Sequence, residues 1–267
     1  MQITILSVLF ICLGATAQST KQTVEALLEK SGSMTMFKDM DSMIEAQIAG
    51  RKATFEKEAD FEKFSNTMRS GFNSTKAEGY FIEYFTKYAN EDSLKSIIRL
   101  YELPLMQEMT ALEKEVGAPS KQQEMQSFMA GLSSNPPSAE RRELMKRIDK
   151  ATGASDMFVQ LIKNMAFSMA RGANQALPVE KQQDTTELNN MLKNAFPESA
   201  KEQMANQLMS MWLFSYKDVD NDKLNKYIQI WESAEGKYNS KLIVSALDYT
   251  FSKIGEDFGK VLGTFAK

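Results

Sequence analysis

Histidine is absent from the 267 residues, and cysteine occurs once, at Cys12. Without His the chain lacks the side chain that titrates nearest physiological pH, and with it the commonest ligand for zinc and copper(II). Nucleophilic machinery of the Ser-His or Cys-His kind is excluded outright. Gly and Pro are scarce, at 13 and 6. Charge of one sign is missing too: 32 basic against 35 acidic side chains leave −3, with both signs mixed along the chain. That balance gives no electrostatic footprint for nucleic acid. No Gly-x-Ser-x-Gly, no Ser-x-x-Lys and no phosphate-binding Gly-rich loop occurs. No catalytic, cofactor-binding or metal-binding residue is therefore assigned from the sequence.

What is present favours helix. Met, Ala, Glu, Lys and Gln are abundant, and 43% of residues are apolar, enough for one large core or two smaller ones. No charged side chain precedes Lys21. Ile3 to Leu13 is almost wholly apolar and runs into Gly14 and Ala15-Thr16-Ala17. This pattern predicts a secretory signal peptide, residues 1–17, cleaved after Ala17. Ile11 stands where lipoprotein acylation of Cys12 would need a small residue, so lipidation is not expected. The mature chain, from Gln18, then carries no Cys and no transmembrane helix, and is exported to a periplasm or beyond.

Apolar residues recur at helical steps along the mature chain. Val24, Leu27 and Leu28 mark a first helix, stopped near Gly32. Met36, Phe37, Met40, Met43, Ile44 and Ile48 mark a second, and Phe61, Phe64 and Met68 continue to Gly71. After Asn90, which suits a helix cap, Leu94, Ile97, Ile98 and Tyr101 share one face. The densest cluster of turn formers, Ser133 to Ser138, then separates two units, 18–134 and 135–267.

The second unit repeats the first in order. Ile148, Gly153 and Met157 answer Leu27, Gly32 and Met36 at an offset of 121. Leu192 and Phe196 answer Met68 and Phe72 at 124. Leu224, Ile228, Trp231 and Glu232 answer Leu94, Ile98, Tyr101 and Glu102 at 130. An offset that grows in steps is what loop insertions in a second copy produce. The expected architecture is all-α, two tandem helical bundles.

The turn after each aromatic carries a further likeness. The second copy reads Trp231-Glu232-Ser233-Ala234-Glu235-Gly236, and the first reads Tyr101-Glu102-Leu103-Pro104-Leu105-Met106. An aromatic followed by a Ser-Pro-x-Gly-like turn resembles the exported bacterial domain of unknown function two thousand and fifty-nine, in two tandem copies. Ser233 and Gly236 remain in one copy, Pro104 in the other. The resemblance implies an all-helical fold and export, and implies no activity. Physically, Pro104 should bend or restart its helix, and Gly236 should allow close backbone approach or a left-handed cap. Tyr101 and Trp231 are expected to fill equivalent positions in two cores.

Three other groupings invite chemistry. Asp218, Asp220 and Asp222 alternate as in a calcium loop, but Lys223 and Gln229 stand where Gly and Glu are needed, so Asp220 is read as a helix cap. The 18 Met could hold copper(I), yet most lie on apolar stripes and are read as core. Gly255, Gly259 and Gly263 lie on one helix face, where they either admit another backbone or fray the helix. Glu102 and Glu232 are the first acids to inspect for hydrolysis by a carboxylate pair. The leading expectation is an exported, non-catalytic binding or scaffold module at the cell envelope, with an unidentified protein or envelope component as partner. A carrier of small apolar ligands or lipids, and a carboxylate-dependent hydrolase, are the alternatives.

Overall fold

The computed structural model describes residues 21–116, 118–184, 186–187, 190 and 198–265. The leader, Cys12, and the repeat partners Leu192 and Phe196 lie outside the described residues. Within them the chain is all-helical, as its composition predicts, and no strand occurs. The helices are α1 (21–31), α2 (Ser33–Arg51), α3 (Glu58–Gly71), α4 (Ser74–Tyr88), α5 (Glu91–Tyr101), α6 (Pro104–Val116) and α7 (Gln122–Gly131). After the expected break come α8 (Ala139–Thr152), α9 (Ala154–Gln175), α10 (Glu198–Ser215), α11 (Asn221–Glu232) and α12 (Ala234–Phe265).

Short polar side chains open many of these helices. Asn73, Asn90, Ser138 and Asp220 each accept a hydrogen bond from the backbone N–H three residues on, at 3.1, 2.8, 3.1 and 2.7 Å. Each satisfies a donor that the first helical turn leaves without a partner. Asp220 is thus a cap, as expected, and among the described residues no cluster of three His, Cys, Asp or Glu could hold a metal ion. Gly32 and Gly153 turn the chain between α1 and α2 and between α8 and α9. Both adopt the left-handed region, at φ 82° and 66°, which costs a residue with a Cβ.

Among the described helices the most extensive contact joins α9 to α12. An added Cβ on Gly255 would meet the Met165 carbonyl at 2.6 Å, on Gly259 the Met169 carbonyl at 2.0 Å, and on Gly263 the Ala173 carbonyl at 2.5 Å. From the other side, Gly172 would meet the Glu256 carbonyl at 2.3 Å. Both residue numbers rise together, so the helices run parallel. The glycine row is therefore a close helix crossing, and the fraying alternative is set aside.

The other flank of α12 packs on α3 and α4. Phe258 lies against Phe72 at 4.7 Å between ring centres, and Tyr80 donates to Asp257 at 2.7 Å. The final helix thus lies between the first half of the chain and the second. Buried residues from α1, α4, α5, α6, α8, α11 and α12 join in one hydrophobic cluster. Tyr101 and Trp231 meet inside it edge to face, ring centres 6.3 Å apart. They fill one shared core, and the expectation of a separate core for each is corrected.

Candidate functional site

The repeated stretch divides into anchors and surface. Leu94, Leu224 and Ile228 are fully buried, Tyr101 and Trp231 nearly so, and Ile98 packs at the edge of the same cluster. Their spacing by three and four puts them on one face of α5 or α11. Pro104 opens α6, where a missing N–H breaks no helical bond. Ser233 receives the Gly236 N–H on its hydroxyl at 3.0 Å. A Cβ on Gly236 would stand 2.1 Å from the Ile230 carbonyl, so only glycine permits that corner.

The two acids go outward. Glu102 pairs with Lys30 of α1 at 3.1 Å. Glu232 takes two hydrogen bonds from Arg147 of α8, at 3.1 and 2.8 Å, which hold its carboxyl below the usual range. Each acid ties its helix to the first helix of the same half. Their roles here are those of ion-paired surface groups.

A polar cluster that sequence reasoning missed lies beside the aromatic pair. Met106, Met109 and Thr110 are the buried face of α6, and Glu113 is the next residue on that face. Its Oε1 accepts hydrogen bonds from the phenols of Tyr216 and of Tyr227, the latter at 2.7 Å. Both rings are buried, whereas Glu113 as a whole residue is exposed. The two facts fit a stem that runs along the surface and a carboxyl end that reaches the core. Burial at that end pushes the acid upward, and the two phenol donors pull it part of the way back. An acid in step with an apolar stripe was the signal available in the sequence. Nearby, Asn239 is fully buried, and among the described residues its amide and Trp231 Nε1 have no partner of good hydrogen-bond geometry.

Replacing Glu113 with Ala removes the shared acceptor of two buried hydroxyls. Each stranded phenol costs about 1–3 kcal/mol. Chemical denaturation should therefore show a loss of about 2–4 kcal/mol for Glu113→Ala, with a smaller loss for Glu113→Gln, which keeps a carbonyl oxygen. Equal losses in both variants would refute the acceptor role.

Among the described residues a surface groove runs along α9 and α12 beside α4. One section, about 520 Å³, is walled by Tyr84 and Tyr88 of α4 and by Tyr249 of α12. These rings pack together, with Tyr84 at 4.8 Å from Tyr88 and 5.7 Å from Tyr249. The Tyr249 hydroxyl donates to Glu83 at 2.7 Å, which fixes its ring; that bond and partial burial push the phenol up to about 12. Gln160 and Asp248 bring polar groups to the lining, and Asn164 behind it links them: Gln160 Nε2 donates to Asn164 Oδ1 at 2.8 Å, and Asn164 Nδ2 donates to Asp248 Oδ1.

A second section, about 450 Å³, continues from the first through shared residues Met157, Gln160 and Val244. It is bordered by Lys150, Lys237 and Lys241, with Asp156 the one acid on its lining. The groove thus has an aromatic, hydrogen-bonding end and a basic end. Of the groove residues, Gly153 and Met157 stood out in the sequence as repeat positions and Tyr84 and Tyr88 as members of an aromatic helix stripe; none stood out as a ligand contact, because the elements come together only in three dimensions.

No protein-family model, curated protein or solved structure matches this chain. Among the described residues, no helix is long and apolar enough to cross a membrane.

Proposed function

We propose that the chain is an exported, non-catalytic binding module of two helical units, 18–134 and 135–267, that works at the cell envelope through the groove beside α4, α9 and α12. The observation that carries this reading is the groove itself, a continuous concavity built from both halves of the chain. The absence of His supports a binding role over acid-base chemistry.

The two-unit reading has its own support. Gly32 and Gly153, related by the offset of 121, are the two left-handed glycines among the described residues, and each precedes the second helix of its half. Asn90 and Asp220, related by 130, cap α5 and α11 in the same way. The ion pairs Lys30–Glu102 and Arg147–Glu232 link equivalent helices. The units are not independent, since α12 packs on α3 and α4 of the first half while α6 and α7 pack on α10 of the second. The reciprocal packing of these terminal helices on the opposite half supports the two-unit reading.

Affinity capture from envelope extract, with the wild-type chain and Tyr88→Ala in parallel, tests the groove. Tyr88 is 54% exposed, so its truncation should leave the fold intact. A component retained by the wild type and lost by the variant is the expected result. Recovery of nothing by either, or of the same material by both, would overturn the reading.

A further inference from the structure

We infer that the groove is a saccharide site, selective for oligosaccharides that carry carboxylate groups; the inference rests on the groove being the ligand surface. The argument begins with what each class of ligand would demand of these walls. An alkyl chain laid along the groove would cover Asp248 and the Gln160 amide without offering them hydrogen bonds. Burying such groups unpaired is costly, most of all for a carboxylate. A peptide in extended form brings a backbone N–H and C=O at every residue. The walls here are helices, whose own backbone groups are already paired, so no sheet edge receives it. An amphipathic helix would need a row of apolar pockets at steps of three and four, and the Gln160–Asn164–Asp248 line interrupts any such row.

A sugar ring meets these walls on both counts. Its C–H faces pack on aromatic rings, and the Tyr84, Tyr88 and Tyr249 group offers a partly exposed aromatic wall. Its hydroxyls both donate and accept. After the Gln160–Asn164–Asp248 relay is made, the lining residues Asp248 and Gln160 keep a second carboxylate oxygen and a carbonyl as acceptors, and Gln160 keeps one N–H. Ser245 and Ser252 add hydroxyls along the same lining. Planar carboxylate and amide groups beside an aromatic wall provide two-point contacts for vicinal hydroxyls.

The second section sets the charge. Lys150, Lys237 and Lys241 stand over a lining with one acid, Asp156. Glu232, a carboxylate close to Lys150 and Lys237, is already held by Arg147. A ligand long enough to run from the tyrosines into this section meets a net positive field, which favours anionic substituents. Both sections have the volume of ordinary ligand sites.

Calorimetric titration of the full chain with tetragalacturonate, with cellotetraose and with oleate tests the inference. Tetragalacturonate should bind more tightly than cellotetraose, and its affinity should fall as salt is raised. Tyr88→Ala should weaken both sugars about tenfold, the loss of one aromatic packing surface. The exposed pair Lys237→Glu and Lys241→Glu should weaken tetragalacturonate alone and erase its advantage. Circular dichroism of each variant confirms the fold before titration. Oleate binding that Tyr88→Ala abolishes, with no sugar bound, would overturn the saccharide assignment and leave the groove as the ligand surface. Equal affinity for the two sugars, unchanged by the lysine variants, would overturn the acidic selectivity. No heat from any of the three would overturn the inference, and the envelope capture with Tyr88→Ala then decides separately on the groove.

Discussion

Gly259→Ala should lower stability by about 2 kcal/mol or more, although alanine is the better helix former. In an open helix interior this substitution gains about 1 kcal/mol. At Gly259 the new methyl would stand 2.0 Å from the Met169 carbonyl oxygen and 2.8 Å from the Ala173 nitrogen. Both are backbone atoms of α9, so no side chain can swing aside and one helix must shift against the other. Overpacking of this kind costs about 1–3 kcal/mol and occasionally more, and the shift would disturb the neighbouring contacts of Gly255 and Gly263 as well. Gly79→Ala is the matched control. Gly79 sits in the interior of α4 with nothing within 4 Å of an added Cβ, so it should gain up to about 1 kcal/mol. Urea denaturation of the two variants should move the midpoint in opposite directions. Movement in the same direction would mean that α9 and α12 are not in backbone contact.

That contact illustrates how far the sequence could be read. The steps of four from Gly255 to Gly263 announced a face made for close approach, because only missing side chains allow it. They did not name the partner, since α9 lies about ninety positions earlier and the matching steps of four in its small residues Ser168, Gly172 and Ala176 do not say which other row they face. Helix positions and caps were legible for a similar reason. Asn90 and Asp220 act on groups three residues away, so the local sequence contains the whole interaction.

The core and the groove were less legible. Tyr101 and Trp231 could be recognised as buried anchors, but their meeting at 6.3 Å depends on how α5 and α11 cross. The groove combines α4 with α9 and α12, and the hydrogen bond that holds its Asp248 comes from Asn164, 84 positions earlier. Each of its residues alone reads as an ordinary surface group. Glu113 lay between these cases. Its place on the Met106–Met109–Thr110 face was visible, and its phenol partners on α11 and at the end of α10 were not.

The phenols around that acid should make the fold collapse in alkali within a narrow range. Burial pushes Tyr101, Tyr216 and Tyr227 above the ordinary tyrosine value, and the negative charge of Glu113 pushes them further. Tyr80, through burial and its bond to Asp257, is pushed up to about 12. A group whose pKa is raised by folding holds its proton more tightly in the folded chain. Its contribution to stability is complete below the unfolded value of about 10 and is lost as pH rises from there toward the folded value. Each of the three buried phenols then removes about 1.4 kcal/mol per pH unit. Three together remove about 4 kcal/mol per unit, comparable within two units to the whole stability of many domains. The phenolate absorbance of these residues should therefore appear together with the loss of helical circular dichroism, between about pH 10 and 12. Tyr227→Phe removes one of these titrations, so it should flatten the pH dependence by about 1.4 kcal/mol per pH unit even though it forfeits the hydrogen bond to Glu113. Phenolate absorbance that rises to completion while the helices remain intact would contradict the buried cluster.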